Sequence, residues 1–187
     1  MNLKKTLLIA LIASLTISAL IAIVVFLAGS FGDIQRKLLF TTLTIAGYSF
    51  TGLASSALFN RRRLVPLGIL GIAISVVGII YTTALIWEII RWSSDWDFKL
   101  LVILIILAVS VAHCSLLLLT RSNVLLVNAC LGLTIVCILT VALMLVRLIA
   151  FAFPDDPGDF ALRLLGVFAV LDVLGTIVTP ILKKLNP

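Results

Sequence analysis

The sequence predicts an all-α, polytopic membrane protein: a bundle of six transmembrane helices. Three observations lead there. Of 187 residues, 63% are apolar and only 12% are charged, whereas a soluble domain carries about 25% charged residues. A hydrocarbon core of about 30 Å is crossed by a helix of about 20 apolar residues, and the chain holds six such runs, at 6–29, 37–59, 64–90, 99–120, 124–150 and 160–182. The charges gather in short clusters between those runs. Together the runs make 1–187 a single integral membrane domain.

Lys4 and Lys5 precede the first run. That order imitates a secretory signal, but the apolar stretch outlasts a usual signal core of about 7–15 residues. It reads as a transmembrane helix that also acts as a signal anchor, with a cleaved signal peptide as the alternative. The second run is unusually polar. Thr41, Thr44, Tyr48, Thr51 and Ser55 recur at steps of three and four, and so form one stripe on a helix. Thr42, Ser49 and Ser56 form a neighbouring stripe. Such a face is expected to pack against other helices or to line a cavity, since hydroxyls commonly hydrogen-bond across membrane helix contacts.

The third run begins with Pro66, tolerated in a first turn. Gly68, Gly71, Ser75, Gly78 and Thr82 again step by three and four, a helix-packing seam of small residues that lets backbones approach closely. The short link Asn60-Arg61-Arg62-Arg63 makes the second and third runs antiparallel, so this seam is expected to meet the hydroxyl stripe. Trp87, Trp92 and Trp96 cluster at its far end, where amphipathic rings favour headgroup level.

The fourth run carries His113, the only histidine. The fifth follows a tight turn, Arg121-Ser122-Asn123, and carries Asn128. Cys114, Cys130 and Cys137 all lie in apolar runs without CxxC spacing, so they read as small packing residues and not as a disulfide framework or a zinc site. Pro154-Asp155-Asp156-Pro157-Gly158-Asp159 cannot continue a helix. The sixth run holds Asp172, the only acid deep in an apolar run. A charge at the bilayer centre costs about 2.5–3.5 kcal/mol even on insertion scales, so Asp172 should face the interior, either protonated or partnered. Gly175, Thr176 and Thr179 share its face.

One pattern recurs: Asp33-x-x-x-Lys37-Leu-Leu, Asp95-x-x-x-Lys99-Leu-Leu and Asp159-x-x-x-Arg163-Leu-Leu, at offsets of 62 and 64 residues. An aspartate at a helix start can accept orphan N–H groups and faces the positive dipole end. A base four residues on can pair with it. Recurrent capping and three copies of a helical hairpin both account for the pattern.

Cationic loops favour the cytoplasm. With the N-terminus inside, the inner side holds eight bases and no acid: Lys4, Lys5, Arg61, Arg62, Arg63, Arg121, Lys183 and Lys184. The outer side mixes six bases with seven acids. The expectation is a multi-pass protein of the cell (inner) membrane with both termini cytoplasmic.

The candidate intramembrane polar site comprises Asp172, His113, Tyr48, Asn128 and Thr176. His113 and Asp172 differ in depth by about 7 Å at 1.5 Å per residue, a gap their side chains can bridge if their helices adjoin. Chemistry beyond that has no visible apparatus: the sequence holds no HExxH, Walker loop or GxSxG motif, and no metal site or cofactor is expected. The net charge of +6 belongs to loops and does not point to nucleic acid. The expected partners are the lipid bilayer and a membrane-protein partner or a second copy of the chain. The leading expectation is a non-enzymatic membrane subunit or binding protein. The alternative is a small proton- or cation-coupled transporter that uses Asp172.

Overall fold

The computed structural model describes residues 32–60, 64–90, 95–122, 124–151 and 159–185, together with scattered helical residues between Thr6 and Val24. Five long helices are present among them: α1 (Asp33–Ser56), α2 (Val65–Ile86), α3 (Asp95–Leu118), α4 (Leu125–Phe151) and α5 (Asp159–Leu185). All five are long and apolar enough to cross a membrane. A short 3-10 turn, Ala57–Asn60, follows α1. No strand occurs among the described residues. Most of the first run, the Arg61–Arg63 link, Trp92, and the loop with Pro154 and Pro157 lie outside the described residues.

The helix ends refine the sequence boundaries. Helices α1 and α3 start four residues before the apolar runs, at Asp33 and Asp95. Their first turns are charged, and the negative side chains sit where the helix dipole is positive. A hydropathy boundary misses such a turn because it need not enter hydrocarbon. Gly32 is the N-cap of α1 and supplies no side-chain cap, so Asp33 acts there through charge. The expected Asp33–Lys37 pair does not form. Asp33 pairs with Arg36 at 2.9 Å, and Lys37 reaches across to Glu88 at 2.8 Å.

Helix α2 stops at Ile86, four residues short of the apolar run. Glu88 takes a left-handed φ of 57°. Its N–H bonds to Leu85 O at 3.1 Å, and the N–H of Ile89 bonds to Ala84 O at 3.0 Å. This is a Schellman ending, a geometry that usually selects glycine. Helix α5, by contrast, runs on through Pro180 to Leu185. The proline removes one N–H and leaves the Thr176 carbonyl without its usual partner.

Helices α1, α2 and α3 pack against one another. Helix α4 packs on α3, and α5 on α4. In α1 the hydroxyl residues lie inside and several large apolar ones outside. Thr42, Ser49, Thr51, Ser55 and Ser56 of α1 are buried, while Ile34, Phe40, Leu43 and Phe50 are exposed. That arrangement is suited to lipid, where the apolar solvent supplies no reason to hide leucine and every reason to satisfy hydroxyls internally.

Candidate functional site

Three polar regions emerge. The first is the seam between α1 and α2. Thr51 Oγ1 and Ser75 Oγ share a hydrogen bond of 2.9 Å across it. A Cβ at Gly71 would collide with Ser55 and with Val111, and one at Gly78 would collide with the Tyr48 ring. Gly68 is buried on the same face. Three steps of the two stripes thus meet: Gly78 against Tyr48, Ser75 against Thr51 and Gly71 against Ser55. Ser55 donates to Thr51 O at 3.0 Å, and of Thr51 and Ser75 one donates across the seam while the other donates to its own backbone, Thr51 to Tyr48 O or Ser75 to Gly71 O, each at 2.9 Å.

Tyr48 and Thr82 depart from that pattern. Both are buried, at 6% and 8% exposure. Both residues line one cavity of about 280 Å³ between α1, α2 and α3, with their hydroxyl oxygens closed off from it. Tyr48 and Thr82 are within hydrogen-bonding reach of each other, short of good geometry, and the Thr83 hydroxyl likewise has no well-aligned partner.

The second region joins α3 to α5. His113 Nε2 lies 2.9 Å from Thr176 Oγ1. Thr176 Oγ1 in turn lies 2.8 Å from the Asp172 carbonyl oxygen and 3.4 Å from Asp172 Oδ1. A hydroxyl has one proton to donate. When Thr176 donates to Asp172, its oxygen accepts from His113 Nε2–H, so the three residues form a directed chain. Asp172 is half-buried and not sealed inside the bundle. Just beside it, α5 is locked to α4: a Cβ at Gly175 would collide with Thr134, and Thr179 is fully buried with its hydroxyl on Gly175 O at 2.7 Å. Lys183 Nζ donates to Leu119 O at 3.3 Å, a further tie near the end of α5.

The structure thus brings His113, Thr176 and Asp172 together and places Tyr48 elsewhere, against Gly78 and beside Thr82. Asn128 has a separate task. Its Nδ2 donates to Ser122 O at 2.7 Å, and its Oδ1 accepts the Ser122 N–H at 3.3 Å. It fastens the turn between α3 and α4. The position of Asn128 one turn into α4, just after a Ser-containing turn, was the available signal for that role. Thr134 is a residue that sequence reasoning passed over. Thr134 lay one per turn from Cys130 and Ile138 on a face of α4 that only the packing identifies.

The third region is the tryptophan end of the bundle. Trp87 Nε1–H donates to Thr41 Oγ1 at 3.1 Å. Lys99 Nζ lies 5.0 Å from the Trp96 ring centroid, a cation–π distance. The Lys37 ammonium, hydrogen-bonded to Glu88, holds the Glu88 carboxyl below its ordinary range; Arg36 adds a smaller effect in the same direction.

No protein-family model matches the chain, and neither a curated protein nor a solved structure is significantly similar to it.

Proposed function

We propose that this integral membrane protein is non-enzymatic, a membrane subunit or binding protein of the cell (inner) membrane with both termini cytoplasmic. The observation that carries this reading is the α1–α2 seam. The most polar helix of the chain uses its hydroxyls on glycine-backed contacts and on its own backbone, with Thr51 bonded to Ser75 at 2.9 Å. A conduit for ions would keep such a face available to water. The bases on the Arg-rich loop and at both termini favour the cytoplasmic assignment; reporter fusions at Arg62 and Pro157 are expected on opposite sides of the membrane.

The second reading, a proton- or cation-coupled transporter, is favoured by one observation, the chain His113–Thr176–Asp172. Intramembrane acids mark ion pathways in many membrane proteins. The two readings separate in reconstituted vesicles. With an imposed pH or cation gradient, the purified protein is expected to give no flux above empty vesicles, and Asp172→Asn no change. Flux that disappears in Asp172→Asn overturns the proposal in favour of transport.

A further inference from the structure

We infer that the open face of α5 beside Asp172 docks a transmembrane helix of another chain, one that carries a lysine or arginine at mid-span as the counter-ion of Asp172. The inference rests on the subunit reading above and names the chemistry of the partner. Helix α5 is the least covered of the described spans: 6% of its membrane window is buried, against 28–44% for the other four. Val170, Val173, Leu174 and Ile177 are exposed along it. With Ala169 and Val178 they line a groove of about 540 Å³. A cavity of about 150 Å³ holds benzene, so one neighbouring helix can set about three large side chains into that groove. Lipid would satisfy these apolar residues without a partner. It would not satisfy Asp172. Ala169 lies three residues before Asp172 and shares its face, which puts the half-buried carboxyl at the edge of the groove.

The bundle gives this carboxylate little. Its side-chain hydrogen bond is to Thr176 Oγ1, 3.4 Å from Oδ1, and among the described residues no base pairs with it. An acid within the bilayer is costly, and such groups pair with opposite charge when they persist. No segment of this chain brings a lysine or arginine to that depth. Arg163 lies nine residues before Asp172 and Lys183 eleven after it, about 13.5 and 16.5 Å along the helix axis, beyond the reach of either side chain. No lysine or arginine lies more than three residues inside any of the six apolar runs. Neither the run 6–29 nor a second copy of the chain therefore supplies one at mid-span. His113 is already engaged with Thr176 at 2.9 Å. A second copy related by a two-fold axis through the α5 face would also set Asp172 against Asp172, like against like. The complement that fits is a base on a different protein. Such a base carries an insertion cost of its own, which pairing with Asp172 relieves.

The full-length protein in phosphatidylcholine vesicles provides the first test. It carries a donor dye and meets acceptor-labelled transmembrane peptides of about 20 leucines and alanines that differ at the midpoint: lysine, leucine or aspartate. The lysine peptide should associate about tenfold more tightly than the leucine peptide, the upper range for a polar contact between membrane helices. Asp172→Asn should remove that advantage, and Asp172→Lys should pass it to the aspartate peptide. Asp172→Asn combined with Val136→Asp moves the acid to an exposed mid-run position on α4, away from the groove, and should not restore it. Equal association of the lysine and leucine peptides, an advantage that survives Asp172→Asn, or full recovery with Val136→Asp overturns the inference. The second test uses native membranes, with a benzophenone amino acid in place of Val173. After irradiation, mass spectrometry should find residue 173 joined to another protein at a segment with lysine or arginine at mid-span, and the adduct should be lost in Asp172→Asn. An adduct with residues 6–29, with a second copy or with lipid alone overturns the inference. A partner segment without such a base, retained in Asp172→Asn, overturns it while the subunit reading stands, and the flux measurement decides that reading separately.

Discussion

Helices α1 and α5 make opposite use of a similar vocabulary. Both carry threonines and glycines at helical spacing. In α1 these residues lie in the middle of the bundle, and 44% of its membrane window is buried; in α5 the figure is 6%. Helix α1 meets α2 through hydroxyl residues set against glycine and also packs on α3. Helix α5 packs chiefly on α4, through Gly175 on Thr134, with the His113–Thr176 bond reaching α3 and Lys183 tied to Leu119 O just beyond it. Its remaining circumference, from Phe160 to Ile181, is exposed leucine, valine, isoleucine and phenylalanine. In water the polar helix would lie outside and the apolar helix inside. In lipid, apolar burial offers no advantage, and close packing and hydrogen bonding decide the order. Among the described helices the most hydroxylated is therefore the most central, and the one acid deep in an apolar run sits on the most peripheral.

The largest effect that sharpens this comparison comes from glycine. Gly78→Leu should force the α1–α2 seam apart, since its first added atom collides with the Tyr48 ring. Overpacking costs about 1–3 kcal/mol, read as a lower midpoint in detergent unfolding followed by circular dichroism. Gly166→Leu on α5, where an added Cβ meets nothing within 4 Å, should be neutral or slightly stabilising. Equal losses at both positions would break the contrast between centre and periphery.

A smaller effect is expected at the α3–α5 link. Asp172→Leu, His113→Leu and Thr176→Val each remove part of one chain of hydrogen bonds. Interhelical bonds in membranes average about 0.6 kcal/mol and reach about 2. The 3.4 Å separation of Thr176 Oγ1 from Asp172 Oδ1 places Asp172→Leu near the low end. Asp172→Asn should match the parent. Double-mutant combinations of His113→Leu with Thr176→Val should be less than additive, because both remove the same contact.

The smallest effect is at the tryptophan end and depends on pH. Glu88 has a carboxyl held below its ordinary value of 4.5 by Lys37. A depressed carboxyl contributes stability above its unfolded value and loses it as pH falls through the folded one. Acidification should release Glu88 from Lys37 with a midpoint below 4.5, a local change at the end of α2. The emission of Trp87, in a protein whose Trp92 and Trp96 are replaced by phenylalanine, reads that release. The transition should be absent in Glu88→Gln.

Much of this was legible in the sequence, and for a physical reason. Spacings of three and four translate directly into a helix face, so Thr51, Ser55, Gly71, Ser75 and Gly78 could be read as one seam. The five described spans followed from run length alone. Pairings that depend on how loops close could not be read. Lys37 chose Glu88 over Asp33 because the left-handed end of α2 carries Glu88 back toward α1, and no periodicity encodes that turn. Asn128 was taken as an intramembrane group because it lies within an apolar run, although its position one turn from the start lets its side chain reach Ser122. Within the polar group, helical depth suggested that His113 could meet the Asp172 region, and His113 Nε2 lies 2.9 Å from Thr176 Oγ1. It could not tell that Tyr48, at a similar depth, would face α2.

The central claim is that the hydroxyl face of α1 is turned inward onto α2. A disulfide tests it most directly. In a protein whose Cys114, Cys130 and Cys137 are replaced by alanine, Thr51→Cys with Ser75→Cys places two sulfurs where hydroxyls now lie 2.9 Å apart, within reach of the narrow geometry a disulfide requires. Mild oxidation in native membranes should join this pair almost completely. Phe50→Cys with Val76→Cys, one residue along each helix and exposed, should stay reduced. Joining of the second pair with failure of the first would mean that α1 presents its hydroxyls elsewhere, and would contradict the account.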